Sequence, residues 1–262
     1  MCPQHKEHGG GAHRTPDGAE PAAAAAPADP KLIEDVAIAN RILARHGVVD
    51  AFGHVSVRHD KDPTRFLLAR NMAPALVTPA DILEYDLDGN PIRAEGRSVY
   101  LERFIHGEIF RARPDVHAIV HSHSPNVVPF GIVAEAKLRP VWHMSGFLGE
   151  STPVFEIRDV AGDGTDLLIS SNALGSALAR SLGERPVVLM RGHGATIVGP
   201  SLKLAVYRAV YTEVNARLQI EALGLGTVNY LTAAEAVAAA ATNAKVVDRA
   251  WDLWVREVGG EL

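Results

Sequence analysis

Hydrophobic and polar positions alternate in two regimes along this chain, and the switches between them mark its elements. From residue 29 the apolar positions Leu32, Ile33, Val36, Ala39 and Leu43 recur at helical spacing. Asp29 followed by Pro30 supplies a helix start and Gly47 a stop. Short β-rich runs come next, at 55–58, 66–69, around 76–78 and 85–87, the last leading into the turn Asp88-Gly89-Asn90. Helical spacing returns from about 98 to 111, with Leu101, Phe104, Ile105 and Ile109 on one stripe and Pro114 beyond it. Residues 117–123 predict a strand bounded by Pro125, and 167–170 another, followed by a helix that Asn172 caps and Gly183 ends. A strand at 187–190 leads through Arg191-Gly192-His193-Gly194 into a further strand to Val198. Two long helices finish the chain, the second opening on the capping-box pattern Thr232-Ala-Ala-Glu235. Short strands with interspersed helices predict one α/β sheet covered on both faces, in a single domain over 29–262.

Composition narrows this picture. The chain has 262 residues, a net charge of -5 and 47% hydrophobic residues, enough apolar material for one large core. No Lys/Arg cluster of the kind that tracks phosphates is present, so no nucleic-acid partner is expected. The longest apolar run falls far short of the ~20 residues that cross a bilayer, so no membrane partner is expected. Cys2 is the single cysteine, and no basic-then-apolar leader is visible; together these predict a cytoplasmic protein. Residues 1–28, rich in Gly, Ala and Pro, predict a flexible arm.

Histidine is over-used, with 12 against 5 Tyr and 3 Trp. Three of them, His5, His8 and His13, lie in the arm. His121-Ser122-His123 falls on a predicted strand, where residues i and i+2 face the same way about 6.6 Å apart. Both imidazoles can then tilt onto one ion at ~2.0–2.1 Å. Taken alone, the pattern suits a polar strand end equally well. His117 has the same parity, and its position further down the strand predicts burial behind the site. His193 sits between two glycines that allow close backbone approach, and by itself it fits an exposed turn. Three neutral imidazoles with open positions describe a catalytic rather than a structural metal site. Glu102, on the predicted helix before the His strand, is placed to shuttle protons, with His106 one turn later.

In this order and spacing, Glu102, His121-Ser-His123 and Arg191-Gly-His193-Gly resemble the class II aldolase/adducin family. So do Gly53-His-Val-Ser-Val-Arg58, Val77-Thr-Pro-Ala-Asp-Ile82 and Arg113-Pro-Asp-Val116. The resemblance implies a three-layer α/β/α fold around a mixed, largely antiparallel sheet. It also implies a divalent metal on His121, His123 and His193, Glu102 as acid/base or additional ligand, and a homotetramer with sites near subunit interfaces. Tyr207 or Tyr211 is then placed to reach a neighbour's site.

The chain departs from the family's sugar-phosphate aldolases. His54 stands where they have Asn, Tyr100-Leu101 replaces a Ser-Ser pair, and Ala80-Asp81 replaces Thr-Gly. Leu101 cannot donate to a phosphate and Asp81 would repel one, which predicts an unphosphorylated substrate. Tyr100, Trp142, His143, Phe52 and His54 suit a flat aromatic ring or plain packing, and Arg191 suits a second carboxylate or a structural pair. Stretches such as 100–108 and 125–131 resemble the family's decarboxylase branch. That resemblance implies a lyase that uses Mn²⁺, with Zn²⁺ or Fe²⁺ as alternatives, acting on a small aromatic carboxylate. The expected substrate is 3-hydroxy-2-methylpyridine-4,5-dicarboxylate, an intermediate of vitamin B6 degradation, losing its C4 carboxylate. An aldolase of a hydroxy-keto acid, a non-haem iron oxygenase and an adducin-like interaction module are the alternatives.

Overall fold

A computed structural model describes residues 26–259. Most of the arm expected over 1–28, with its three histidines, lies outside the described residues. Helix α1 (Pro30–Arg45) begins as predicted: the Asp29 carboxylate accepts the Lys31 N–H at 2.9 Å, and Gly47 leaves the helix at φ +67°. Strands β1 (His54–Arg58), β2 (Arg65–Ala69) and β3 (Ile82–Asp86) form an antiparallel meander. Its closing turn is held by the Asp86 carboxylate, which accepts from the Asp88 and Asn90 N–H groups. The expected strand around 76–78 is replaced by two 3₁₀ turns, Pro74–Leu76 and Pro79–Asp81. Each turn has Pro at its first position, and proline fixes φ and donates nothing to a sheet.

Next come α2 (Arg103–Ala112), β4 (Ala118–Ser122), α3 (Val128–Ile132), β5 (Val154–Phe155), α4 (Arg158–Ala161) and α5 (Asn172–Leu182). Strands β6 (Val187–Met190) and β7 (Gly194–Gly199) lead to α6 (Leu202–Leu225), α7 (Ala233–Ala244) and α8 (Val247–Glu257). The seven strands make one sheet in the order β3-β2-β1-β4-β7-β6-β5, antiparallel except for β5 on β6.

Alternation along the strands divides the core in two. Val55, Val57, Val120, Leu189 and Ile197 pack with α1, α6 and α8 on one face. Phe66, Leu68, Ile119, Val188 and Val198 pack with α2 and α5 on the other. Val36, Ile38, Ile42 and Leu43 of α1 are fully buried, each contributing about 1.5–3 kcal/mol. This is the expected α/β/α sandwich.

Five further local expectations change. The cap of α5 is Ser171, whose hydroxyl accepts the Leu174 N–H at 3.3 Å, and not Asn172, which is the first helical residue. The helix expected from 98 starts only at Arg103, because the Ser98 carbonyl accepts from Asn71 N–H and the Tyr100 hydroxyl donates to the Met72 carbonyl, holding 98–100 against the 71–72 loop. The strand expected at 167–170 is a loop, with Leu167 at φ +70°. His117 precedes β4 and is exposed rather than buried behind the site. Three helices, not two, end the described chain; α7 keeps its Thr232–Glu235 capping box. Among the described residues, no helix is long and apolar enough to cross a membrane.

Candidate metal centre and adjoining cavity

Four side chains from three regions meet at one end of the sheet. His121 is in β4 and His123 just beyond it, on the same side as their spacing predicts; their Nε2 atoms are 3.1 Å apart. His193 arrives from the β6–β7 turn, with its Nε2 2.9 Å from that of His123. This approach depends on the flanking glycines. Gly192 has φ +65°, and a Cβ on Gly194 would collide with the Ser122 carbonyl. Glu102 caps α2 instead of lying within it. Its Oε2 stands 3.3 Å from His121 Nε2 and 3.4 Å from His193 Nε2. Its Oε1 accepts the Ile169 N–H at 3.0 Å, so the 167–169 loop aims the carboxylate.

Backbone carbonyls set the ring tautomers. His121 Nδ1 is 3.2 Å from the Ala195 carbonyl, and His193 Nδ1 is 2.9 Å from the Leu167 carbonyl. A carbonyl only accepts, so both rings carry their proton on Nδ1 and present a bare Nε2 lone pair to the cluster. Leu167 holds its carbonyl there in the left-handed region, at a cost of about 1–2 kcal/mol. Nitrogen lone pairs converging at this distance repel unless a cation lies among them. Donors ~2.0–2.1 Å from a tetrahedral ion are about 3.3 Å apart, close to the spacings seen here. The donor set Glu102, His121, His123 and His193 therefore fits a divalent metal.

Electrostatics agree. His123 is pushed down to about 4 by burial and by the neighbouring imidazoles, which keeps it neutral and ready to ligate. Glu102 is ionised: burial opposes its charge, but His121 and His193 outweigh burial and hold it well below the usual carboxylate range. Burial lowers His193, but the Glu102 carboxylate 3.4 Å from its Nε2 outweighs burial and moves the group upward, favouring a cation at this nitrogen, the place a metal would take from a proton.

A cavity of about 350 Å³ opens beside the cluster. Glu102 and His123 form one wall; Phe52, His54, Tyr100 and Leu168 form others. None of the residues lining it is Lys or Arg. His54 and Tyr100 thus stand where the sequence places them, with rings 4.6 Å apart, and Phe52 joins them. Leu101 is also on this wall. Asp81 is not; its carboxylate caps Thr78 and pairs with Arg70 at 2.7 Å, so its replacement of glycine has a local structural role. His143 and Tyr211 line a second cavity of about 300 Å³ with Tyr207 and Trp254, away from the cluster of their own chain. Trp142 packs against that pair. Arg191 forms an ion pair with Glu156 at 2.5 Å and is not on the first cavity's wall.

Several contributors escaped sequence reasoning. Asn71 and Met72 line the cavity from a loop with no motif, and Leu167, Ile169 and Ala195 act through backbone atoms that any residue type supplies. Glu213 of α6 accepts from Ser124 and Asn126, pinning the loop directly after His123.

The chain belongs to the class II aldolase/adducin family: residues 34–220 match the Class II Aldolase and Adducin N-terminal domain. Within that family it is 40% identical over 240 residues to the decarboxylase tropJ of Talaromyces stipitatus, covering 83% of this chain and 90% of the relative. It is 33% identical to a 3,4-dihydroxyphthalate decarboxylase of Arthrobacter keyseri, covering 74% and 79% of the two chains. The structure of an aldolase II superfamily protein from Pseudomonas syringae superposes with a TM-score of 0.72 at 22% identity, over 89% of this chain and 94% of that one. Both of these relatives are decarboxylases by name, which supports a carboxy-lyase.

Proposed function

We propose that the chain is a divalent-metal-dependent decarboxylase of an unphosphorylated hydroxy-aromatic carboxylate. The observation that carries this reading is a preorganised His121–His123–His193 donor set with Glu102, opening onto a largely apolar cavity without Lys or Arg. A phosphate dianion would find no counter-charge on that wall, whereas an aromatic ring fits between Phe52, Tyr100 and Leu168.

A metal held by the three Nε2 atoms would supply Lewis acidity to the oxygen on which negative charge develops as CO₂ leaves. The chain's own residues handle the proton. Glu102 is ionised and fixed by Ile169, so it takes the proton of the ring hydroxyl ortho to the departing carboxylate. It passes that proton to the ring carbon that bears the carboxylate, giving the keto form; the C–C bond then breaks, CO₂ leaves, and its electron pair restores the aromatic ring and places the charge on that oxygen. Phe52, Tyr100 and His54 orient the ring. Three imidazoles suit Zn²⁺ or Fe²⁺ as well as the Mn²⁺ that the sequence resemblance implies.

The finer substrate assignment is 3-hydroxy-2-methylpyridine-4,5-dicarboxylate. Its second carboxylate would need a cation from outside this cavity. Such a group would enter from a neighbouring subunit in the homotetramer we infer, in which His143 and Tyr211 face the partner's cavity; Arg191 is held by Glu156.

The test is CO₂ release from that compound and from 3,4-dihydroxyphthalate, with chelated protein re-supplied with Mn²⁺, Zn²⁺ or Fe²⁺. Metal-dependent release that disappears in His121→Ala is expected. No release with any metal, from protein shown to bind one, would overturn the decarboxylase assignment and favour an aldolase of a hydroxy-keto acid.

A further inference from the structure

His54 does more than line the cavity, because a buried hydrogen-bonded chain runs behind it. His54 and Ser56 share one face of β1, and α2 lays His106 over both. Ser56 Oγ is 2.6 Å from His106 Nδ1, and His106 Nε2 is 2.7 Å from His54 Nδ1. Ser56 and His106 are fully buried, and His54 is 3% exposed.

The chain has one polarity that leaves no hydrogen stranded. Ser56 Oγ has no second hydrogen-bond partner among the described residues, so its hydrogen has only His106 Nδ1 to go to. Were Ser56 the acceptor, a buried hydroxyl hydrogen would be unsatisfied, which is costly. Burial pushes His106 down to about 3, so the ring is neutral and has a single N–H. With Nδ1 accepting, that hydrogen is on Nε2 and points at His54 Nδ1. His54 then accepts on Nδ1 and has its own hydrogen on Nε2, the atom left for the cavity.

We propose that Ser56 and His106 fix His54 as an Nε2–H donor, which binds an anionic oxygen of the hydroxy-aromatic carboxylate beside the metal cluster. Its ring centre lies 5.1 Å from that of His121 and 4.6 Å from that of Tyr100. The Tyr100 hydroxyl is already donating to the Met72 carbonyl at 2.6 Å, so His54 supplies the N–H on this part of the wall. A fixed N–H discriminates sharply, because it favours an oxygen acceptor and rejects an analogue with hydrogen at that position. His54 is the substrate-binding residue; His106 and Ser56 are positioning residues. The binding half of the proposal rests on the decarboxylase reading, whereas the polarity of the chain does not.

The experiment has two readouts on the full chain. Nitrogen-15 spectra near neutral pH, with the His54 signals assigned by their loss in His54→Gln, should show His54 and His106 both protonated on Nε2 and bare on Nδ1. A His54 proton on Nδ1 would overturn the proposal whatever the reaction. The second readout is calorimetric binding of 2,3-dihydroxybenzoate to Zn²⁺-loaded protein. His106→Gln keeps the order, its Oε1 accepting from Ser56 and its amide donating to His54. His106→Leu fills the same space without either bond. The Leu variant should bind about tenfold more weakly, and the Gln variant close to wild type. If His106→Leu does not fold, the tautomers of wild type and of His106→Gln still decide the polarity. Equal binding by wild type and His106→Leu would overturn the positioning role. A wild type that does not bind the probe would overturn the substrate half alone.

Discussion

Glu102→Gln keeps the shape of the side chain and its acceptor for Ile169 N–H but removes the charge and the proton acceptor. Metal content should stay near wild type while CO₂ release falls by about 10²–10⁴-fold; turnover at the wild-type rate would assign the proton step elsewhere. A second expectation concerns acid. His106 is depressed to about 3 by burial, and burial together with nearby imidazoles also lowers His54. The unfolded chain therefore binds protons that the fold does not, so this stability is present above pH 6.5 and is lost as pH falls toward 3. Each such histidine steepens the loss by about 1.4 kcal/mol per pH unit. In urea titrations of chelated protein, His106→Gln should lessen the pH slope by one proton between the histidine and carboxylate ranges; an unchanged slope would show that His106 does not titrate in this way. The clustered histidines were legible in the sequence because i, i+2 parity on a strand and two flanking glycines are sequence patterns. The partners that set their tautomers were not, because a carbonyl carries no side-chain signature.

Among the elements, the β6–β7 turn carries the most consequence, because β7 starts against the end of β4 where only glycine fits. Gly194→Ala should cost about 1–3 kcal/mol in denaturant unfolding and weaken metal affinity by displacing His193. Ser171→Ala is the contrasting case. It removes the α5 cap, whose hydroxyl accepts the Leu174 N–H at 3.3 Å, and should cost about 1 kcal/mol without changing metal affinity. Equal metal affinity in both variants would show that the tight β4–β7 junction does not position the site. Element boundaries followed local chemistry where caps are local, as at Asp29 and Thr232. They failed at 98–102 and 167–170, where loops distant in sequence take up the backbone groups and the site imposes an unfavourable φ on Leu167.

For the whole molecule, metal and fold should be coupled, because the ligands come from β4, the β6–β7 turn and the start of α2, which meet only in the native state. At a free metal concentration 100-fold above Kd, binding adds about 2.7 kcal/mol, and Tm should rise by several degrees over chelated protein. An unchanged Tm, with metal bound, would mean that the ion does not engage residues from separate elements. Phe52 and Leu101 are 66% and 62% exposed beside the cavity mouth, and with the second cavity around His143 and Tyr211 they are the surfaces that the tetramer proposed above would bury. By itself the sequence determined the alternation that splits the core into two layers, the parity that pairs His121 with His123, and the glycines that admit His193. These are properties of spacing along one strand or turn. Only the tertiary structure decided which carbonyls orient the rings, that Asp81 and Arg191 are engaged in pairs of their own, and that Ser56, His106 and His54 form a line. Such contacts join residues tens of positions apart, and they exist only once the sheet register and the helix above it are set.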